Sequence, residues 1–158
     1  MLYLDSSALL KRYVQEPGTD AVNLKVNEGL TANREILISV VGYAEIFATF
    51  ARLVRDHLLP KQEGDLLQQS FHDDWMVKLS QVDLTADVLA FVPGLVNNHP
   101  LRGADAIHLA SALWLRDALR QRKSFGPNPG ILEFATSDRQ LKTAAALEGL
   151  PVFDPQNP

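Results

Sequence analysis

Four acidic residues have the chemistry and the positions of a candidate metal site. Asp5 and Asp138 each follow a short apolar run that we predict to be a strand, and Glu45 and Asp105 lie in stretches with helical spacing. Clustered carboxylates repel one another unless a cation lies between them, and their hard oxygen atoms suit Mg²⁺ or Mn²⁺. Such an ion can generate hydroxide from water and stabilise the oxygens of a phosphodiester under attack. If the four side chains converge, the chemistry they suit is metal-dependent hydrolysis.

Three of the four acids also have a structural explanation when each is considered alone. Asp5 and Asp138 can cap helices, and Asp105 lies in the first turn of a predicted helix, where free amides and the helix dipole favour negative charge. Glu45 differs, because the residues three and four positions away on either side are all uncharged. A surface glutamate usually has charged neighbours at that spacing, so we expect Glu45 to point inward or into a cleft.

The elements that must position these acids follow from the hydrophobic pattern. Short apolar runs alternate with amphipathic stretches, which indicates an α/β fold with a mainly parallel sheet. Ligands of such sheets bind beyond the carboxyl ends of the strands. We expect Gly29 to lie beyond the end of a helix, a break at Pro93-Gly94, and a loop at residues 124–130. The predicted strands are residues 1–4, 35–39, 77–82, 131–136 and 151–153, and the predicted helices are residues 6–15, 20–27, 40–57, 60–75, 85–97, 103–122 and 139–148.

Length and composition exclude several classes of protein. The 158 residues fit one domain, residues 1–158, and the absence of cysteine excludes a disulfide framework and thiolate metal sites. No apolar run approaches the ~20 residues that span a bilayer, and the N-terminus lacks the pattern of a secretory signal, so we expect a cytoplasmic protein. The net charge is −4, so any nucleic-acid binding must come from a local basic surface or from metal ions.

The common ligands of α/β proteins do not fit the first predicted strand. A dinucleotide site needs a glycine-rich turn there, but the chain continues as Asp5-Ser6-Ser7 without a glycine, and it has no Walker-type phosphate loop. A phosphoaspartyl phosphatase needs a second aspartate where Ser7 stands. These absences leave the carboxylate cluster as the main candidate.

Four motifs, in chain order, resemble those of the PIN domain, and especially the VapC-type toxins of bacterial and archaeal toxin–antitoxin pairs. They are Asp5-Ser6-Ser7, the segment 39–45 that ends in Glu45, the segment 103–110 that contains Asp105, and the segment 136–141 that contains Asp138. The resemblance covers essentially the whole chain. It implies a three-layer α/β/α sandwich with a central, mainly parallel sheet.

The resemblance also implies an activity and a set of site residues. Asp5, Glu45, Asp105 and Asp138 would bind Mg²⁺ or Mn²⁺, with Asp5 and Asp105 as the most direct ligands. Ser7 would hold the hydrogen bonds of the site, whereas Ser6 would cap the first helix. Members of the family are metal-dependent endoribonucleases, so we expect hydrolysis of RNA that leaves 5′-phosphate and 3′-hydroxyl ends. The implied partners are an RNA substrate, a cognate antitoxin whose C-terminal segment crosses the active site, and a second copy of the chain in a homodimer.

Two other functions use the same residues. One is a PIN-like binding or scaffold module that holds metal without turnover, and the other is a metal-dependent DNA nuclease or phosphatase. The sequence does not separate them, because the ligands and metals would be alike.

Several basic residues are candidates for contact with a nucleic acid. Arg102 and the pair Lys11-Arg12 flank two of the acids and are candidates for steering substrate. The densest basic cluster is Arg116, Arg120, Arg122 and Lys123, which fits either phosphate binding or a solvated helix end. For His108, one turn after Asp105, we favour a packed or surface side chain over a role near the site.

Overall fold

Five parallel strands form the centre of the computed structural model, which describes residues 1–122 and 131–158. In these residues the strands lie in the order β3-β2-β1-β4-β5, and each neighbouring pair is parallel. β1 is the middle strand, and its Leu2 is in register with Ile36 on one side and Glu133 on the other. The strands are β1 Leu2–Leu4, β2 Ile36–Ser39, β3 Ser80–Val82, β4 Glu133–Ala135 and β5 Val152–Phe153. The predicted α/β fold with a mainly parallel sheet is confirmed.

Helices connect the strands, and most of them lie where the hydrophobic spacing predicts them. They are α1 Ser6–Leu10, α2 Thr19–Thr31, α3 Val41–Arg55, α4 Lys61–Val77, α5 Ala86–Leu89, α6 Val92–Asn98, α7 Gly103–Arg122 and α8 Arg139–Leu147. The predicted loop at residues 124–130 lies outside the described residues. None of the helices within residues 1–122 and 131–158 is long and apolar enough to cross a membrane.

The alternation of side chains along β1 divides the core into two layers. Tyr3 packs with Phe134 and with residues of α5, α6, α7 and α8 on one face of the sheet. Leu2 and Leu4 pack on the other face with residues of α1, α2, α3 and α4. Because successive side chains of a strand point to opposite faces, a three-residue strand contributes to both cores. The fold is therefore a three-layer α/β/α sandwich.

The sequence pattern predicts that Gly29 lies beyond the end of a helix, but in the structure it is a buried residue inside α2. A Cβ atom at this position would lie 2.8 Å from Cδ1 of Ile36, which is closer than real contacts of this kind. Glycine lets α2 lie close to β2 without displacing this methyl group of Ile36, and the helix continues to Thr31.

Three other boundaries differ from the prediction. The break in the segment 85–97 precedes Pro93-Gly94, because Pro93 lies in the first turn of α6, where its missing N–H leaves no hydrogen bond unmade. Helix α1 ends at Leu10, and the chain then continues in tight turns. One of them is closed by the hydrogen bond from the Arg12 N–H to the Leu9 carbonyl. The predicted strand at residues 77–82 begins only at Ser80, because α4 extends through residue 77.

Candidate active site

The carboxyl ends of three neighbouring strands bring the motif residues to one edge of the sheet. Asp5 directly follows β1, α3 begins just after β2, and Asp138 follows β4. Helix α7, which carries Asp105, packs on the face of the sheet opposite to α3 and contacts both α3 and β2. Because parallel strands end at the same edge, acids far apart in sequence can meet there.

Asp5 is a buried carboxylate with several donors around it. Its Oδ1 accepts a hydrogen bond from the Ala8 N–H at 2.8 Å, which caps α1, and both oxygens lie 2.9 Å from the Ser7 hydroxyl. The Thr136 hydroxyl donates to Oδ2 at 2.7 Å. Burial raises the pKa of Asp5 above its ordinary value, although His108 and these hydrogen bonds act in the opposite direction. The side chain is held in one position, at an energetic cost for its negative charge.

Thr136 links the two acids that follow β1 and β4. Besides donating to Asp5, its hydroxyl accepts a hydrogen bond from the Asp138 N–H at 3.0 Å. The Asp138 carboxylate accepts from the Leu141 N–H at 2.8 Å and caps α8. Asp5 and Asp138 therefore cap helices, which confirms the structural explanation of each acid, and both remain candidate ligands.

Glu45 lies on α3, half-buried, and one of its oxygens has two donors. Oε2 lies 2.6 Å from the Ser6 hydroxyl and 2.8 Å from Nε2 of His108, which belongs to α7. Burial alone would raise the pKa of Glu45, but the hydrogen bonds from His108 and Ser6 outweigh it and lower the pKa. Glu45 is thus kept ionised at the boundary between the two helical layers.

Asp105, in the first turn of α7, is coupled to two of the other acids. Burial and the charges of Asp138 and Glu45 raise its pKa, although the backbone of Arg102 and the side chain of His108 act against the rise. The charges of Asp138 and Glu45 are therefore near enough to Asp105 to disfavour its ionised form. In the part of the chain that the structure describes, however, no three His, Cys, Asp or Glu side chains already stand in an arrangement that could hold a metal ion.

Ser7 makes hydrogen bonds of the kind expected of it, whereas Ser6 does not have its expected role. Ser7 does contact Asp5, and its hydroxyl also accepts from the Ser137 N–H at 2.9 Å, so it joins the loops after β1 and β4. Ser6 does not cap α1, which is the role of Asp5; its hydroxyl is directed to Glu45 instead. The cap prediction for Ser6 is wrong, because the preceding aspartate already occupies the cap position.

Two residues near the acids were missed or undervalued from the sequence. Thr136 opens the fourth motif but has no role in the sequence-based hypothesis, although its position at the end of a predicted strand, two residues before Asp138, is a usable signal. The prediction for His108 was half right: the side chain is packed, with 1% of its surface exposed, but it contacts the candidate site directly through Glu45.

The structure reassigns part of the basic surface. Lys11 is 2% exposed and forms an ion pair with Glu16, so it is not available to steer substrate as predicted. Arg116 donates to the carbonyl oxygen of Glu148 and pairs with Asp117, which gives it a structural role. Arg102 is exposed beside the site and remains the better candidate.

Known proteins of similar sequence are ribonucleases by name. The chain is 33% identical over 156 residues to ribonuclease VapC45 of Mycobacterium tuberculosis strain CDC 1551 / Oshkosh, covering 99% of this chain and 96% of that protein. The same values hold for ribonuclease VapC49 of M. tuberculosis strain ATCC 25618 / H37Rv. No model of a protein family matches the chain.

Solved structures share the fold at lower sequence identity. A crystal structure of VapBC2 from Rickettsia felis, bound to a DNA fragment from its promoter, aligns with a TM-score of 0.64 and 16% identity over 98% of both chains. A structure of VapBC-1 from nontypeable Haemophilus influenzae aligns with a TM-score of 0.63 and 13% identity over 98% of both chains. At this identity, the likeness establishes the three-layer architecture.

Proposed function

Because this chain belongs to the VapC ribonuclease family, we propose that it is the toxin ribonuclease of a toxin–antitoxin pair and that it hydrolyses RNA at the carboxylate edge of its sheet. The observation that carries the proposal is the hydrogen-bonded arrangement at the carboxyl ends of the strands: Thr136 links Asp5 to Asp138, and His108, on the helix that carries Asp105, contacts Glu45. Four carboxylates at one edge of a sheet lower the stability of the folded protein, and such an unfavourable arrangement is typical of a functional site.

The four carboxylates fit a divalent metal ion by their chemistry. Their oxygens are the ligands that Mg²⁺ and Mn²⁺ prefer, and a cation would relieve the repulsion that raises the pKa of Asp105. We propose that Asp5, Asp105, Glu45 and Asp138 hold Mg²⁺ or Mn²⁺. When bound, such an ion supplies a nucleophilic hydroxide and stabilises charge on the phosphodiester.

The protein's own residues prepare this site in different ways. The donors around Asp5 fix one carboxylate before any ligand arrives, which lowers the cost of ordering it on binding. The pKa of Asp105 is raised, as expected of a carboxyl group that is partly buried near other negative charges. Ser7 acts through Asp5 and through the loop after β4, so we propose a positioning role for it.

A cleavage assay with the purified chain tests the proposal. It uses a mixed panel of RNAs and the same sequences as single-stranded DNA, each with Mn²⁺ and with EDTA. Asp5→Asn removes the charge of the most buried acid, and Asp65→Asn, on the exposed surface of α4, is the matched control. We expect RNA cleavage only with metal, its loss in Asp5→Asn by 10²-fold or more as an order of magnitude, and no loss in Asp65→Asn.

Other outcomes of the same assay are equally informative. Cleavage of DNA but not RNA would favour the DNA nuclease. Folded protein that binds Mn²⁺ without cleaving any substrate would favour the binding module. Cleavage that persists in EDTA or in Asp5→Asn would contradict the proposed site.

The proposal includes two protein partners. The first is a cognate antitoxin, since the structural neighbours are VapBC assemblies. The second is another copy of the chain in a homodimer, which the resemblance to PIN-domain toxins implies. Light scattering of the purified chain gives its mass in solution, and a monomer at micromolar concentration would contradict the homodimer.

A further inference from the structure

A buried histidine contacts Glu45 from the opposite helical layer, and the proposed chemistry gives it no role. His108 lies on α7, and its Nε2 is 2.8 Å from Oε2 of Glu45 on α3. The hydroxyl of Ser6 lies 2.6 Å from the same oxygen and 3.1 Å from the same ring nitrogen. The three groups form a compact cluster just behind the acids of the site.

The other ring nitrogen of His108 is also occupied. Nδ1 lies 3.2 Å from the hydroxyl of Tyr3, a side chain of β1 with no exposed surface. The Tyr3 ring stacks on Phe134 and meets His108 edge-on, so its hydroxyl has little freedom to move. A tyrosine phenol carries its proton at neutral pH and can donate it to Nδ1.

These contacts determine where the proton of His108 lies. An ionised carboxylate only accepts hydrogen bonds, so the nitrogen that faces Glu45 must carry the hydrogen. With Tyr3 donating to Nδ1, the imidazole presents Nε2–H to Oε2 of Glu45. Within the described residues, no hydrogen bond reaches the other oxygen of Glu45, Oε1.

We propose that His108, oriented by Tyr3, is a positioning residue that holds Oε2 of Glu45 and leaves Oε1 for the metal ion. The inference rests on the proposed function, because it assigns Glu45 to the ion. Partners that hold a ligating carboxylate from behind set its orientation, and their loss typically weakens metal binding by roughly 10- to 100-fold.

Two substitutions of His108 separate the hydrogen bond from the volume of the ring. His108→Leu fills similar space without a donor. His108→Gln places an amide N–H near the position of Nε2 and should rescue the contact. A second histidine–glutamate pair provides the control: Nε2 of His99 lies 2.8 Å from Oε1 of Glu148, and His99→Gln changes that pair in the same way.

Titration of each purified variant with Mn²⁺ alone measures the metal affinity without RNA. We expect His108→Leu to weaken Mn²⁺ binding by roughly 10-fold or more, and His108→Gln and His99→Gln to stay within about 3-fold of wild type. Equal affinity of His108→Leu and wild type would overturn the inference. If wild type itself binds no Mn²⁺, the proposed function fails instead.

Nitrogen-15 NMR of the histidine side chains provides a readout in the metal-free protein. We expect a proton on Nε2 of His108 and a shift in that signal in Tyr3→Phe, which keeps the ring and removes the hydroxyl. This variant also replaces His108→Leu in the titration if the leucine variant does not fold, with weaker Mn²⁺ binding expected. An unprotonated Nε2 would overturn the assignment, whether or not the protein cleaves RNA.

Discussion

Thr136 provides the most direct test of how the strand ends are coupled. Its buried hydroxyl donates to Asp5 at 2.7 Å and accepts from the Asp138 N–H at 3.0 Å. Thr136→Val keeps the shape of the side chain and removes both hydrogen bonds. It leaves a buried carboxylate with one donor fewer and a backbone N–H without its acceptor.

The size of the effect follows from these two bonds. A hydrogen bond to a charged group contributes about 1.5–3 kcal/mol, and a partly buried N–H that loses its acceptor costs about 1 kcal/mol, at the low end of the usual range. We therefore expect Thr136→Val to lower the free energy of unfolding by about 2.5–4 kcal/mol near pH 7. The matched control is Thr143→Val on α8, where the exposed hydroxyl bonds only to a carbonyl of its own helix and a change within about 0.5 kcal/mol is expected.

The pH dependence gives the prediction a second, independent test. The Thr136 hydroxyl stabilises the ionised form of Asp5, so its contribution is present in full above the pKa of Asp5 in the folded protein. That pKa lies above the ordinary value, and the contribution declines as the pH falls through it. The gap between wild type and Thr136→Val should therefore narrow as the pH falls toward the ordinary aspartate pKa.

Urea unfolding of metal-free protein at several pH values measures both quantities. A loss below about 1 kcal/mol at neutral pH would show that the hydroxyl does not stabilise the buried carboxylate. A gap that is constant with pH would show that the loss comes from packing instead of from the charge of Asp5.

Two further predictions concern stability. Asp105→Asn should raise the stability of the metal-free protein at neutral pH, because burial and the charges of Asp138 and Glu45 raise the pKa of Asp105. The gain over wild type should shrink as the pH falls toward the ordinary aspartate pKa. A loss of stability at neutral pH, measured by thermal unfolding, would contradict the repulsion. In urea unfolding, Gly29→Ala should be less favourable than Gly94→Ala by about 1 kcal/mol, since its Cβ would displace the Cδ1 methyl of Ile36, whereas Gly94 in α6 has open space around it. Equal effects would contradict the close packing of α2.

The double role of the strand-end acids has a consequence for interpreting variants. Asp5 and Asp138 each cap a helix with one oxygen, at 2.8 Å from a backbone N–H. Substitution by alanine would remove a cap worth about 1 kcal/mol together with the charge, whereas asparagine keeps an acceptor at the cap. Loss of activity in the asparagine variant therefore reports on the charge.

Much of the fold and the order of the candidate acids could be predicted from the sequence. Short apolar runs and amphipathic stretches of helical period are local patterns, and they predict the alternating strands and the long helix α7 with its bounds. A parallel sheet has its carboxyl ends at one edge, so Asp5 and Asp138 could be expected together there before any contact was known. Boundaries were less well predicted, as at Gly29, because a close approach between elements decides them.

The sequence by itself determined the type of fold and which acids stand at the ends of strands, because both depend on patterns a few residues long. Only the tertiary structure decided what each polar side chain meets. Ser6 is 39 residues from Glu45 and His108 is 63 residues from it, and their contact depends on how α1, α3 and α7 pack from two sides of the sheet. Lys11 likewise looks in sequence like a surface cation, but the packing around α1 buries it beside Glu16. Hydrogen-bond partners require a fit within tenths of an ångström, and only the packed layers set positions that finely.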